Sequence, residues 1–178
     1  MNTALVLTVI GRDRPGLVER LATLVSAHGG NWLESRMSRL GGEFAGILRI
    51  AIPAEQEAAL LSHLADLQSV GLTALARRDE PPAAPAVPAQ LVTLELVGQD
   101  RPGIVRQISA VLAARGANVE ELVTECLSAP MTGEPLFKAQ ARLALPSGNN
   151  LGPLRTELEA IAADLLVDLT LAPVLPSP

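Results

Sequence analysis

"GRDRPGLV" at Gly11–Val18 and "GQDRPGIV" at Gly98–Val105 lie 87 positions apart in a chain of 178 residues. Each run follows an apolar, β-branched stretch and opens a helical stripe, so each marks a strand-to-helix corner. The same offset carries the helix as well: Leu17, Leu21, Leu24 and Val25 fall on Ile104, Ile108, Val111 and Leu112. That is the i, i+4, i+7, i+8 face of an amphipathic helix, kept twice. "HGGNW" at His28–Trp32 falls on "RGANV" at Arg115–Val119, which sets Asn31 on Asn118. The chain therefore holds two copies of one unit.

Further along, "FAGILRIAIP" from Phe44 and "FKAQARLALP" from Phe137 align 93 positions apart, so the second copy has six more residues between its middle strands. They lie around "LSAPMTGEP", Leu127–Pro135, where the first copy has only Gly41-Gly42 to supply the positive φ angles of a tight hairpin. The periodicity predicts strands near 3–10, 32–40, 43–52 and 71–77 with helices near 14–28 and 54–68. In the second copy it predicts strands near 91–98, 118–128, 135–145 and 166–172, with helices near 102–115 and 150–164.

The order βαββαβ specifies an α+β, ferredoxin-like unit, a four-stranded antiparallel sheet with two helices on one face. "DEPPAAPAVPAQ", Asp79–Gln90, reads as an extended proline-rich linker. Domain bounds of 1–79 and 90–173 follow, with a linker at 80–89 and a tail at 174–178. The first strands, "ALVLTVI" and "QLVTLELV", are apolar on both sides, so the helix-free sheet face or its edge is expected to be covered by another unit or another chain. Side-by-side pairing and a homo-oligomer are the expectation.

Composition narrows the function. A net charge of −5, 2% aromatic residues and 14 scattered basic residues, of which Lys138 is the single lysine, argue against a direct grip on nucleic acid. One cysteine suits a reducing compartment, and no apolar run is long enough to span a bilayer, so a cytoplasmic protein is expected. No lysine follows a glycine pair as a phosphate loop requires. Cys126 stands without a second Cys or a His at metal-ligand spacing and reads as a buried or half-buried strand thiol. His28 ends a helix where its counterpart is Arg115, as the helix dipole favours, and His63 reads as a surface residue. Glu34 and Glu121 match across the copies and read as exposed strand charge. No catalytic, metal or cofactor constellation repeats with the units, so no enzyme is expected.

In the corners, Pro15 is expected to open the first helix, with Asp13 or Arg14 as its cap and Asp100 in the same role in the second copy. Gly16 and Gly103 leave the amides that follow uncovered, and such a helix start suits a carboxylate. Asn31 and Asn118 offer amide oxygens for an ammonium group. The bland alternative is that these residues simply start and stop helices, and one copy alone does not decide between the two.

The "GxDRPGLV…GxNW" and "GxDRPGIV…GxNV" patterns resemble those of ACT domains, the small ligand-binding regulatory modules of amino-acid metabolism. Two in tandem resemble the glycine cleavage system transcriptional repressor family. The resemblance implies pairing of units through their sheets and binding of a small amino acid such as glycine or serine beside the corner. Asp13, Arg14, Pro15, Gly16, Leu17 and Asn31 match the ligand-loop motif, as do Asp100, Arg101, Pro102, Gly103, Ile104 and Asn118. It also implies action through a protein partner such as a DNA-binding transcriptional activator. A scaffolding ACT protein, or a detached regulatory subunit of a metabolic enzyme, is the alternative.

Overall fold

The computed structural model describes residues 1–80, 89–129, 133–146 and 151–174. The chain divides into two compact units, Met1–Ala83 and Ala84–Pro178. Most of the expected linker, part of the inserted stretch Leu127–Pro135 and most of the tail lie outside the described residues.

The first unit runs β1 (Asn2–Arg12), α1 (Leu17–Ala27), β2 (Asn31–Leu40), β3 (Glu43–Pro53), α2 (Glu57–Asp66) and β4 (Leu72–Arg78), with 3-10 turns on either side of α2. The second repeats it as β5 (Ala89–Gln99), α3 (Ile104–Ala114), β6 (Asn118–Ser128), β7 (Pro135–Pro146), α4 (Leu151–Leu165) and β8 (Val167–Pro173). Sheet orders are β2-β3-β1-β4 and β6-β7-β5-β8, every pairing antiparallel. The expected α+β, ferredoxin-like architecture is what forms.

Period-two alternation decides which side of β1 is covered. Leu5, Leu7 and Val9 are buried with α1 residues Leu17, Leu21 and Val25 and α2 residues Leu60 and Leu64. The second core repeats this with Val92, Leu94 and Leu96 against Ile104, Ile108, Leu112, Leu154 and Leu158. Gly41 and Gly42, at φ 60° and 85°, make the tight β2–β3 hairpin that their sequence predicts.

Both helices of the corners start later than expected, at Leu17 and Ile104 instead of near 14 and 102. The cause is the backbone of the preceding glycine. Gly16 has φ 91° and Gly103 φ 96°, values that end the turn and cannot belong to a right-handed helix.

Candidate functional site

Each corner is built by three constraints. The strand delivers Gly11 into the sheet so closely that an added Cβ would stand 2.4 Å from the Gly71 carbonyl oxygen. The Asp13 amide then donates to Gly42 O at 2.9 Å, tying the corner to the β2–β3 hairpin, and the Asp100 amide repeats this toward Pro135 O at 3.0 Å. Gly16 closes the turn, with nothing within 4 Å of where a Cβ would stand.

The expected caps do not form. No side chain caps either helix, and the N-cap residues are Gly16 and Gly103, not Asp13, Arg14 or Asp100. Pro15 correspondingly precedes the helix instead of opening it. The Asp13 carboxylate turns sideways to Arg39 Nε at 2.9 Å. Because no side chain caps the helix, its first amides stay available. The ladder begins with Arg20 N donating to Gly16 O at 3.0 Å, and with Gln107 N to Gly103 O at the same distance. The amides of Leu17, Val18 and Glu19, and of Ile104, Val105 and Arg106, precede it and have no backbone acceptor among the described residues. In the first unit they face an open depression of about 480 Å³ lined by Asp13, Arg14, Gly16, Val18, Glu19 and Phe44. In the second, the Gln107 side chain comes within 3.7 Å of the Gly103 position and covers part of the approach.

Asn31 and Asn118 are not at the corners. Each opens the strand after the helix, so within one unit the helix separates it from the corner by about 16 Å, eleven residues at 1.5 Å each. Asn31 pairs with Ala51, which lies opposite Ala4, whereas the corner glycine Gly11 pairs with Phe44. Spacing along a chain says nothing about which end of a helix a residue occupies, and that is why the sequence placed them together.

Charges differ between the corners. The first holds Asp13 and Glu19 against Arg14 and Arg39, while the second has Asp100 against Arg101 and Arg106. The position of Arg39 is taken by Cys126, which is exposed, contrary to the expected buried thiol, because edge strand β6 is exposed along its whole length. Partial desolvation, and then the Asp100 carboxylate beside it through its charge and as acceptor of the S–H, push this thiol above its ordinary range. It is held neutral and is a weak nucleophile. Arg101 donates to Gln99 Oε1 at 3.0 Å.

The histidines form a pair the sequence did not reveal. His28 Nδ1 lies 2.9 Å from Leu24 O, which as a carbonyl must accept, and His28 Nε2 lies 2.9 Å from His63 Nδ1. Their counterparts, Arg115 and Glu157, form an ion pair that closes the same α3–α4 joint. The equivalence of the two positions was the available signal. Glu34 sits 3.7 Å from Arg49 as exposed strand charge. Among the described residues, no cluster of three or more metal-ligating side chains forms, and no helix is long and apolar enough to cross a membrane.

Comparison with known proteins follows the same lines. Residues 3–74 match the ACT domain family. The glycine cleavage system transcriptional repressor of Escherichia coli (strain K12) is 26% identical over 163 residues, covering 90% of this chain and 85% of the repressor. The crystal structure of an unknown protein from Galdieria sulphuraria superposes with a TM-score of 0.86 at 31% identity, covering 98% of this chain and all of that one. A crystal structure of a candidate glycine cleavage system transcriptional repressor shares the fold, with a TM-score of 0.69 at 24% identity over 98% of both chains.

Proposed function

We propose that this chain, whose residues 3–74 match the ACT domain family and whose second unit repeats the same fold, is a non-enzymatic tandem ACT regulator that binds a small amino acid and acts through contact with another protein. The observation that carries the reading is the uncapped first turn of α1 and α3. Three successive amides with no backbone acceptor, at the positive end of a helix dipole and beside a glycine, suit the carboxylate common to all amino acids. A side-chain cap would have filled that position.

The ammonium needs an acceptor other than Asn31 of the same unit, and Asp13 and Glu19 line the depression at the first corner. Within a unit Asn31 is at the wrong end of α1. To act as a switch, the ligand must bind one state of the protein better than another. The E. coli relative is a glycine cleavage system transcriptional repressor, so the proposed partner is a protein of transcription, such as a DNA-binding activator, and the proposed ligand a small amino acid such as glycine or serine.

Calorimetry with a panel of amino acids tests this. Saturable binding of at least one is expected, weakened several-fold by Arg106→Glu and strengthened by Glu19→Arg, since both residues stand in the first helical turn. A flat titration for every amino acid would remove the sensing role and leave a scaffolding protein.

A further inference from the structure

The joint between the two helices is closed differently in each unit. In the second, Arg115 at the C-terminal end of α3 donates through Nε to Glu157 Oε2 of α4 at 3.0 Å. Opposite charges attract there, and the bond from Arg115 holds the Glu157 carboxyl below its ordinary value, so this joint keeps both charges well into acid. In the first unit the same two places carry His28 and His63. Leu60 and Leu64 occupy in the first core the places of Leu154 and Leu158 in the second, which sets His63 on Glu157.

Hydrogen-bond roles dictate the order in which the histidine pair takes up protons. His28 is 8% exposed, and its Nδ1 lies 2.9 Å from Leu24 O, an atom that only accepts, so Nδ1 carries the proton and Nε2 of the neutral ring is an acceptor. His63 Nδ1, 2.9 Å away, therefore donates, which leaves its own Nε2 as the remaining lone pair of the pair, on an exposed ring. A first proton goes there and makes the contact a charge-assisted bond. A second can go only to His28 Nε2, where its N–H would point at the N–H of His63, between two cationic rings whose centroids stand 5.0 Å apart. The contact does not survive that step.

The surroundings draw protons toward both rings. His28 caps the C-terminal end of α1 and His63 stands in the last turn of α2, where the helix dipole favours a cation. An open depression of about 580 Å³ beside His63 brings Glu19 and Arg20 from α1 and Asp66 from α2, while Leu67 and Val70 after α2 bring no charge. From β3, Pro53 lies beside Gly29 and is uncharged. Glu57, at the start of α2, is engaged by Arg78.

We propose that the α1–α2 joint of the first unit is an acid-opened latch: one proton tightens it and a second, on His28, breaks it, while the α3–α4 joint of the second unit stays shut. Histidine changes charge between about pH 5 and 8, a range in which an arginine–carboxylate pair does not respond. Once the latch is open, α1 is held by its apolar face, Leu17, Leu21 and Val25. Amino-acid binding plays no part in this.

Hydrogen exchange of the full chain, followed by mass spectrometry, compares both joints in one sample. After correction for the intrinsic rate, protection of Leu24–Gly30 relative to Val111–Ala117 should hold between about pH 8 and 6.5 and fall at least about tenfold by about pH 5. His28→Arg/His63→Glu, which copies the second joint into the first, should flatten that profile, and so should His63→Gln, which puts no cation opposite His28. Arg115→His/Glu157→His should carry the acid response to Val111–Ala117. Nitrogen NMR of the imidazoles should show neutral His28 protonated on Nδ1 and His63 charging first. A flat profile in the unaltered protein, an acid response that persists in both first-joint variants, or His28 charging before His63 would overturn the proposal.

Discussion

The second strand of the first unit lays large side chains on its core; that of the second unit lays smaller ones, and a crevice opens there. Trp32 and Met37 on β2 pack against the first core, and Leu48 is fully buried beneath them. Their counterparts are Val119, Thr124 and Ala141, and an apolar crevice of about 30 Å³ opens between α3 and the sheet, lined by Leu94, Ile108, Val119, Leu122 and Ala141. Side chains that line such a space forfeit dispersion contacts. Both units have the same topology and the same β-bulge near the start of their second strand. The fold therefore rests on the alternation, and the packing that fills it is negotiable.

The difference can be broken most severely at Gly46. A Cβ there would stand 2.4 Å from Met37 Cγ and 2.6 Å from Arg36 O, whereas in the second unit the equivalent Ala139 pairs with the shorter Thr124. Gly46→Ala is expected to destabilise by about 3 kcal/mol, and Ala139→Gly by about 1 kcal/mol, measured by urea unfolding. Equal costs would mean that Met37 moves freely. Trp32→Val, which makes the first unit resemble the second, should cost about 2 kcal/mol; the half-buried position keeps it below a full core truncation.

A smaller contrast lies before the last strand. Gly71 has φ 74°, but its counterpart Leu166 adopts φ 57° with a full side chain, 64% exposed. Leu166→Gly should stabilise the second unit by about 1 kcal/mol and Gly71→Ala should weaken the first by a similar amount, read as opposite shifts in thermal midpoint. The smallest effect is acid sensitivity. Arg78 donates to both Glu57 oxygens, at 2.8 and 2.9 Å, and Arg115 engages Glu157. These hydrogen bonds hold both carboxyls below the ordinary value of 4.5. Their stabilisation is therefore complete above about pH 4.5 and is lost as pH falls through the depressed values. Acid unfolding followed by circular dichroism should shift to slightly higher pH in Glu57→Gln and Glu157→Gln, both pairs being exposed enough for solvent to screen.

Much of this was legible in residues. Apolar alternation in "ALVLTVI" and the helical stripe after Gly16 specify which atoms must leave water, and a strand or helix that buries the wrong set is far less stable, so element order and both cores could be read directly. The repeated corner was legible as a corner, but not its capping. Asp13 had two partners within reach, a helix amide and Arg39, and only the folded position of β2 decided between them. The His28–His63 contact and the remoteness of Asn31 from Gly16 were hidden for the same reason.

The sequence alone determined the duplication, the βαββαβ order and the residues that form each core, because these follow from local periodicity and transfer from water. Tertiary structure decided which helix amides stay unpaired and which side chain neutralises Asp13. Those depend on strands distant in sequence being brought into register, and no single stretch of the chain carries that information.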